Sequence, residues 1–295
     1  MDLSIVIVSY NTKELLLDCL LSINVPAKLK VEVFVVDNHS KDSTPSMVRK
    51  KFPDFQLITN SQNLGFSKAN NQALVKARGK YILILNPDTK VMLDTLGKMI
   101  DFMDQNEKVA IATCRVELAN GRLDPDCHRL FPTPWRAFCH FLGLSRIFKG
   151  SKLFDQYRMG FLDPDQQSQI DACMGAFMMI RPKVLKDIGL FDEDFFFYGE
   201  DLDFCYRAKE KGYQIVYTPI TRIIHLRGAA SGIKKSTAHL TKATDESKRL
   251  ALLESARAMR LFYKKHLAKN YPLFINWFIY FAISVIERLR LLKIT

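Results

Sequence analysis

The 295-residue sequence lacks several patterns that would place it in a common class of protein. It has no G-x-G-x-x-G after its first predicted strand, which argues against a dinucleotide-binding domain, and no G-x-x-x-x-G-K-[ST], which excludes a P-loop. Its six cysteines are isolated, with no C-x-x-C pair, so a zinc finger is not expected and reduced thiols in a cytosolic compartment are the best interpretation. It also lacks an uncharged run of the roughly 20 residues that a membrane-spanning helix needs.

Basic residues are in excess, and the excess is confined to one part of the chain. The sequence has 43 Lys+Arg against 31 Asp+Glu, a formal net charge of +12. Residues 226–295 account for +10 of this charge, so residues 1–225 are nearly neutral. The excess predicts an anionic partner such as an acidic membrane, a phosphorylated substrate or nucleic acid. Because the neutral part has no nucleic-acid-binding motif, a nucleic-acid partner is not expected.

Hydrophobic patterning in residues 1–113 predicts alternating strands and helices. The strands are unbroken and rich in β-branched residues, as in a sheet that is covered on both faces. Such alternation predicts an α/β fold with a mostly parallel central sheet flanked by helices. The predicted strands are 3–9, 31–37, 56–59, 81–86 and 109–113, and the predicted helices are 12–23, 44–51, 66–77 and 93–105, the first opened by a capping box of Asn11 and Glu14.

The rest of the sequence predicts a less regular lobe, then further strands and a helix, and finally a helical tail. Residues 114–170 have no clear period, whereas strands are predicted at 172–180, 213–219 and 221–225 and a helix at 201–211. A linker near 228–232 precedes a basic helix at about 244–268 and an apolar segment at 271–286. We therefore expect a catalytic domain at 1–232 and a basic helical tail at 233–295.

Polar side chains follow several of the predicted strands, where open α/β sheets bind their ligands. Asp37 ends the second strand, and its carboxylate could accept a hydrogen bond from the imide N–H of uracil or thymine. Asn86-Pro87-Asp88 follows the most apolar strand, where a carboxylate could hold Mg²⁺ or Mn²⁺. Each motif alone is equally typical of an ordinary turn.

An acidic motif and a histidine, both between residues 200 and 225, are further candidates for catalysis and for metal or phosphate binding. Glu200, Asp201 and Asp203 follow a run of aromatic residues at a predicted helix start, where the helix dipole favours an ionised carboxylate. Asp201 is a candidate general base, and acidic helix capping is the alternative. His225 ends a strand and could be a metal ligand or a phosphate contact.

Together these motifs resemble the family-two inverting glycosyltransferases with the GT-A fold, most closely the rhamnosyltransferase-like members. The resemblance covers residues 1–232 and depends on the order and spacing of several short blocks. These blocks are IVSYN at 7–11, VVDNHSKD at 35–42, NLGFSKANN at 63–71, LNPD at 85–88, Gly175-Ala176, EDLD at 200–203 and His225.

The resemblance implies a role for each matching residue. Asp201 would be the general base with Glu200 beside it, and Asp88 and His225 would bind the Mg²⁺ or Mn²⁺ ion. Asn86 replaces the first aspartate of the family's D-x-D element. The donor, a pyrimidine nucleotide-sugar such as dTDP-rhamnose or a UDP-sugar, would be bound by residues at the strand ends and nearby loops: Ser9, Asn11, Asp37, Asn63, Gly65, Asn86, Gly175 and Ala176.

The tail predicts where the reaction takes place. The 17 uncharged residues 270–286 would form a helix about 25 Å long, shorter than a ~30 Å hydrocarbon core, and cations flank them on both sides. We expect this segment to lie in the interface of an anionic membrane; packing on a partner subunit and a true span are the alternatives. The resemblance then implies a cytoplasmic, peripheral enzyme of polysaccharide synthesis that acts on a glycan or a polyprenyl-diphosphate-linked acceptor.

Two other functions are compatible with parts of the sequence. A sugar nucleotidyltransferase also uses an α/β sheet and metal-bound carboxylates, although the first turn lacks the usual glycine-rich basic loop. A basic protein without enzymatic activity, binding nucleic acid or a membrane, would explain the charge alone.

Overall fold

A mixed β-sheet organises the part of the chain that this computed structural model describes, residues 1–226 and 245–292. Its strands lie in the order β3-β2-β1-β4-β10-β6-β11-β5, with β8 also paired to β11, while β7 and β9 form a small separate sheet. The strands are β1 Leu3–Ser9, β2 Val31–Asp37, β3 Gln56–Thr59, β4 Tyr81–Leu85, β5 Thr89–Val91, β6 Val109–Leu118, β7 His128–Arg129, β8 Ser168–Gln169, β9 Ala172–Cys173, β10 Phe177–Ile180 and β11 Gln214–His225.

Helices flank the sheet and follow it at the C-terminal end. They are α1 Lys13–Ser22, α2 Thr44–Lys51, α3 Phe66–Leu74, α4 Thr95–Gln105, α5 Pro134–Phe141, α6 Leu144–Ile147, α7 Pro182–Ile188, α8 Glu200–Glu210, α9 Asp245–Phe262 and α10 Leu273–Leu291. A π-helical turn, Tyr263–Leu267, and a 3₁₀ turn, Ala268–Asn270, connect α9 to α10.

The N-terminal half of the sheet is parallel, as the sequence predicts. Strands β1, β2 and β4 pair in parallel, with Ser9 opposite Asp37, so their carboxyl ends lie at one edge of the sheet. Every residue of β1 and β4 is buried, which explains why both strands are continuously apolar or small. The core of the protein therefore lies around these strands and places the strand-end residues side by side.

The C-terminal half differs from the predicted strand pattern. Strand β10 runs antiparallel between β4 and β6, which makes the whole sheet mixed. The predicted strand 172–180 is interrupted at 174–176: β9 pairs with β7, and only β10 enters the main sheet. Conversely, the two strands predicted at 213–219 and 221–225 form one strand, β11, which continues through an irregularity between Thr218 and Arg222.

The predicted capping box at the first helix is wrong. Asn11 has a left-handed backbone with φ of 54°, and Thr12 is the N-cap residue without a side-chain cap. The Asn11 side chain instead accepts a hydrogen bond from the Lys41 backbone N–H at 2.7 Å. Asn11 therefore connects the loops that follow β1 and β2.

The C-terminal helices pack against the part of the chain that contains the sheet. Phe195, Phe262, Tyr263 and neighbouring side chains form a small buried cluster that is separate from the main core. Nearby, His266 contacts the buried Asp203 carboxylate of α8 at 2.7 Å. None of the described helices is long and apolar enough to cross a membrane. The predicted linker at 228–232 and the domain boundary after 232 lie outside the described residues.

Candidate active site

The carboxyl edge of the sheet opens into a cavity of about 1220 Å³. Most of the residues predicted to form the site line it: Asn11, Asn63, Gly65, Asn86, Asp88, Gly175, Ala176, Glu200, Asp201 and His225. Ser9 and Asp37 end neighbouring strands at the same edge but are not part of the cavity wall. One cavity thus brings together residues that are up to 214 positions apart in the chain.

Asp88 and His225 meet because β5 and β11 are antiparallel neighbours. His225 pairs with Thr89 in the ladder, and the backbone N–H of Leu226 donates to the Asp88 carbonyl oxygen at 2.8 Å. The His225 Nε2 atom lies 3.3 Å from Asp88 Oδ1, and both side chains are buried. The two predicted metal ligands are therefore adjacent.

A second acidic residue, Asp124, contacts the other nitrogen of the same imidazole. Asp124 Oδ2 lies 3.0 Å from His225 Nδ1, and its side chain is fully buried. After β6 the chain turns back, with the Asp124 N–H donating to the Val116 carbonyl oxygen at 2.8 Å, and β6 pairs in parallel with β11. This turn places Asp124 beside the end of β11.

The two carboxylates favour a charged His225. Burial disfavours the imidazolium, but Asp88 and Asp124 outweigh it and raise the pKa of His225 to about 9. A site that attracts a proton between two carboxylates is also suited to a cation, because a metal ion can replace the proton on Nε2.

The donor atoms fit a divalent metal that is shared with a substrate. Two protein atoms bound to one such ion at ordinary distances lie about 3 Å apart, close to the Asp88–His225 separation of 3.3 Å. The described residues contain no complete group of three or more acidic, histidine or cysteine ligands for a metal. This arrangement suits an ion that takes its remaining ligands from phosphate oxygens and water, as Mg²⁺ usually does.

Asp201 forms a buried ion pair across the cavity wall. Its Oδ2 atom lies 2.6 Å from Arg129 Nη2, and both side chains are nearly buried. The backbone of α8 begins at Glu200, so Asp201 also lies at the positive end of the helix dipole. The contact with Arg129 therefore holds the Asp201 side chain in a fixed orientation.

Glu200 is in a different state from its neighbour. Burial, followed by the charge of Asp201, raises the pKa of Glu200 to about 8. Its Oε2 atom has no hydrogen-bond partner among the described residues. The raised pKa favours the neutral form of Glu200, whereas the Asp201 carboxylate is paired with Arg129.

The loop after β3 also lines the cavity. Asn63 Oδ1 accepts hydrogen bonds from Asn38 Nδ2 at 2.8 Å and from the Gly65 backbone N–H at 3.0 Å. Gly65 has φ of 82°, and a Cβ atom there would lie 2.5 Å from the carbonyl oxygen of Phe196. Only glycine therefore lets this loop approach the aromatic segment that precedes α8.

The remaining predicted donor residues occupy distinct positions. Asp37 is 2% exposed; its Oδ2 accepts the Ser40 N–H at 3.1 Å, whereas Oδ1 has no hydrogen-bond partner in the described structure. Ser9 Oγ is 2.9 Å from Thr12 Oγ1, an internal contact. At Gly175 an added Cβ would meet the Phe66 ring at 3.5 Å, an ordinary distance, so packing within the protein does not require glycine there.

Sequence reasoning missed Asp124 and Arg129. Both lie in residues 114–170, whose hydrophobic residues show no clear helical or strand period, so the sequence predicts only an irregular lobe there. Asp124 belongs to a tight turn, and Arg129 lies on the two-residue strand β7 that pairs with β9. No local pattern identifies either residue, because their partners His225 and Asp201 are 101 and 72 positions away.

Two solved structures have a fold similar to that of this chain. The chain is similar to the crystal structure of TarS residues 1–349 from Staphylococcus aureus, with a TM-score of 0.54 and 18% identity over 92% of this chain and 74% of that chain. It is also similar to the mannosyltransferase PcManGT from Pyrobaculum calidifontis in complex with GDP-Man and Mn²⁺, with a TM-score of 0.53 and 21% identity over 98% of this chain and 86% of that chain. The fold is therefore the GT-A glycosyltransferase fold, as the sequence resemblance implied.

Sequence comparison places the chain within one family. The model of Glycosyl transferase family 2 matches residues 4–189, and that of Glycosyl transferase family group 2 matches residues 149–284. The N-acetylglucosaminyl-diphospho-decaprenol L-rhamnosyltransferase of Mycobacterium tuberculosis is 22% identical over 241 residues, which cover 78% of each chain. The chain belongs to glycosyltransferase family 2 and is similar to its rhamnosyltransferases. The nucleotidyltransferase and non-enzyme alternatives are therefore wrong.

Proposed function

We propose that this glycosyltransferase transfers a sugar, with inversion and with the help of a divalent metal ion, from a pyrimidine nucleotide-sugar to a hydroxyl group of a glycan or lipid-linked acceptor. The donor is dTDP-rhamnose or a UDP-sugar. One observation carries the proposal: a single cavity contains both the Asp88–His225 pair and the Asp201 carboxylate bound to Arg129.

The nucleotide binds at the carboxyl ends of β1, β2 and β4. The buried Asp37 Oδ1 atom, which lacks a partner among the described residues, is suited to accept the imide N–H of a pyrimidine. Ser9 and Asn11 are assigned to the same base-binding region. The diphosphate and sugar then extend along the cavity wall past Asn63, Gly65, Asn86, Gly175 and Ala176.

Asp88 and His225 would hold the metal ion, Mg²⁺ or Mn²⁺. When bound, such an ion supplies positive charge that stabilises the diphosphate as it leaves. Asp124 has a positioning role: by accepting the Nδ1 proton of His225 it leaves the Nε2 lone pair available to the ion. The Mn²⁺ in the related mannosyltransferase complex supports a divalent metal without deciding between the two ions.

Asp201 acts as the general base. It removes the proton from the acceptor hydroxyl while the oxygen forms a bond to the anomeric carbon and the bond from that carbon to the diphosphate oxygen breaks. The proton ends on Asp201 and the electron pair on the departing diphosphate. Arg129 orients the Asp201 carboxylate, whereas the raised pKa of Glu200 favours a neutral side chain, which adds no second negative charge beside it. A single displacement of this kind inverts the anomeric centre.

The acceptor and the location are proposed from the tail and from the related enzyme. The name of the mycobacterial relative specifies a lipid-linked diphosphate acceptor. The basic residues of 226–295 would bind the anionic inner face of the cell membrane, with the apolar segment 271–286 in its interface. In this proposal, catalysis belongs to 1–232 and membrane attachment to 233–295.

A donor screen tests the proposal. Thermal stability would be measured with UDP, dTDP or GDP, each with and without Mn²⁺, followed by transfer assays with the corresponding nucleotide-sugars. We expect stabilisation by a pyrimidine diphosphate that requires the metal, as ligand binding to the folded state raises its stability. Equal stabilisation by GDP, or no dependence on metal, would contradict the assignment of donor or cofactor.

A further inference from the structure

The catalytic cavity continues into an apolar groove between helices α5 and α10. One wall is formed by Phe138, Phe141 and Leu142, at the end of α5, and the other by residues of α10 that include Phe281 and Leu289. These side chains remain exposed: Leu142 by 62%, Phe281 by 54% and Leu289 by 56%. Large contiguous apolar patches are uncommon on the surface of soluble proteins and often mark a binding site.

The size of the cavity allows more than one ligand. Its volume of about 1220 Å³ exceeds the range of roughly 300–1,000 Å³ that is typical of a site for one small molecule. The polar end, with Asp88 and His225, suits the nucleotide-sugar. The end lined by the aromatic side chains of α5 and α10 lies away from the Asp88–His225 pair and is therefore available to a second ligand.

Arg290 differs from the other cations that line the cavity, such as Arg158, which is paired with Asp126. Arg290 of α10 lines the cavity, and its guanidinium carbon lies 5.8 Å from the centre of the Phe141 ring. Its Nη1 donates to Ser255 Oγ at 3.3 Å, and no carboxylate among the described residues pairs with it. A half-buried cation without a counter-ion loses hydration and gains little in return, which favours an anionic ligand.

We propose that the groove between α5 and α10 binds the acceptor as an isoprenoid diphosphate, with Arg290 on the diphosphate and the aromatic walls on the prenyl chain. This inference rests on the proposed function. That function includes a lipid-linked acceptor but names no residues that bind it, and the inference assigns those residues. An amphipathic ligand matches a surface that combines one unpaired cation with exposed aromatic side chains. Its sugar hydroxyl would then face the end of the cavity that contains Asp201.

Two other occupants fit less well. A second copy of the chain in the groove would cover the apolar opening of the cavity that contains Asp201, and so obstruct the acceptor. A flat anionic bilayer would contact exposed arginines such as Arg288, which lies on the same helix but does not line the cavity. Only a ligand that enters the groove reaches Arg290 in preference to Arg288.

The two tryptophans of the sequence provide a direct readout. Trp135 lies on α5 and Trp277 on α10, and they are 44% and 69% exposed. The full-length protein would be titrated, below the micelle concentration of the lipid, with geranylgeranyl diphosphate, geranylgeraniol and inorganic diphosphate. The change in tryptophan emission gives the dissociation constants.

We expect geranylgeranyl diphosphate to bind at least tenfold more tightly than either the alcohol or inorganic diphosphate. Arg290→Ala should weaken binding of geranylgeranyl diphosphate about tenfold, or about 1.4 kcal/mol, and leave binding of the alcohol unchanged, since only the diphosphate carries the charge that the guanidinium would bind. The matched variant Arg288→Ala should behave as wild type. Circular dichroism would verify that both variants are folded.

Two results would overturn the assignment: equal affinity for the alcohol and the diphosphate, or equal losses in the Arg288 and Arg290 variants. Equal losses would indicate a general anion-binding surface. Metal-dependent nucleotide binding by the wild-type protein, measured in parallel, separates this failure from failure of the proposed function. If nucleotide binds and geranylgeranyl diphosphate does not, only the groove assignment is lost.

Discussion

Replacing Asp124 by asparagine should disable the metal site without removing a metal ligand. Asp124 Oδ1 accepts the Asp126 backbone N–H at 3.0 Å, while Oδ2 faces His225 Nδ1 at 3.0 Å. In Asp124→Asn the amide oxygen stays with the Asp126 N–H, so the amide NH₂ group faces Nδ1 and donates to it. The His225 proton then moves to Nε2, the nitrogen that faces Asp88, and this nitrogen can no longer bind a metal ion.

The size of the effect follows from the role of such partners in other metal sites. Losing the residue that orients a histidine ligand typically costs 10–100-fold in metal affinity, or about 1.4–2.7 kcal/mol. Asp124→Asn should lower the metal affinity by about 100-fold, near the upper end of this range, because it favours the tautomer with the proton on Nε2. Asp124→Ala should lie near the lower end, about tenfold, because it removes the partner without imposing a tautomer.

The assay is a Mn²⁺ titration in the presence of the nucleoside diphosphate, with free Mn²⁺ measured by electron paramagnetic resonance. Asp203→Asn is the matched control, since Asp203 is another buried carboxylate that contacts a histidine, at 2.7 Å, but it does not line the cavity. The control should lower stability and leave Mn²⁺ affinity unchanged. The reasoning is refuted if Asp124→Asn binds Mn²⁺ within twofold of wild type.

Two further substitutions test the architecture around the site. Gly65→Ala should lower the free energy of unfolding in urea by about 1–3 kcal/mol, because its Cβ would lie 2.5 Å from the Phe196 carbonyl oxygen. The control Gly121→Ala also has a positive φ, 76°, but nothing within 4 Å of the added Cβ, so it should lower the free energy by less. Equal losses in the two variants would argue against the close approach at Gly65. Glu200 has a folded-state pKa of about 8 against an ordinary value of 4.5, so its ionisation should lower stability as the pH rises through that interval. Glu200→Gln should remove this part of the pH dependence in a series of thermal melts, and an unchanged slope would contradict a protonated Glu200.

The parallel half of the fold could be predicted from the sequence because its strands have local signals. Strands β1, β2 and β4 are largely apolar segments with polar residues at or directly after their ends, and the rules for parallel sheets place their carboxyl ends at one edge. The antiparallel insertion of β10 could not be predicted, because the pairing partner of a short apolar strand is decided by tertiary packing.

Part of the candidate site could also be predicted from local signals in the sequence. Asp88, Asp201 and His225 stand at strand or helix ends in recognisable motifs, and the structure brings all three to one cavity. Asp124 and Arg129 act through contacts between distant segments, and their local sequence contains only turn-forming and irregular patterns. The assignment of chemical roles to these five residues remains a set of predictions.

The central claim is that Asp201 is the base of the transfer reaction, and one measurement tests it most directly. Turnover and donor affinity would be measured for wild type and Asp201→Asn with the donor identified in the screen. We predict that the variant retains donor binding while turnover falls by about 10²–10⁴-fold, the usual contribution of a general base. Turnover above about a tenth of wild type, a barrier change of only ~1.4 kcal/mol, would contradict the account.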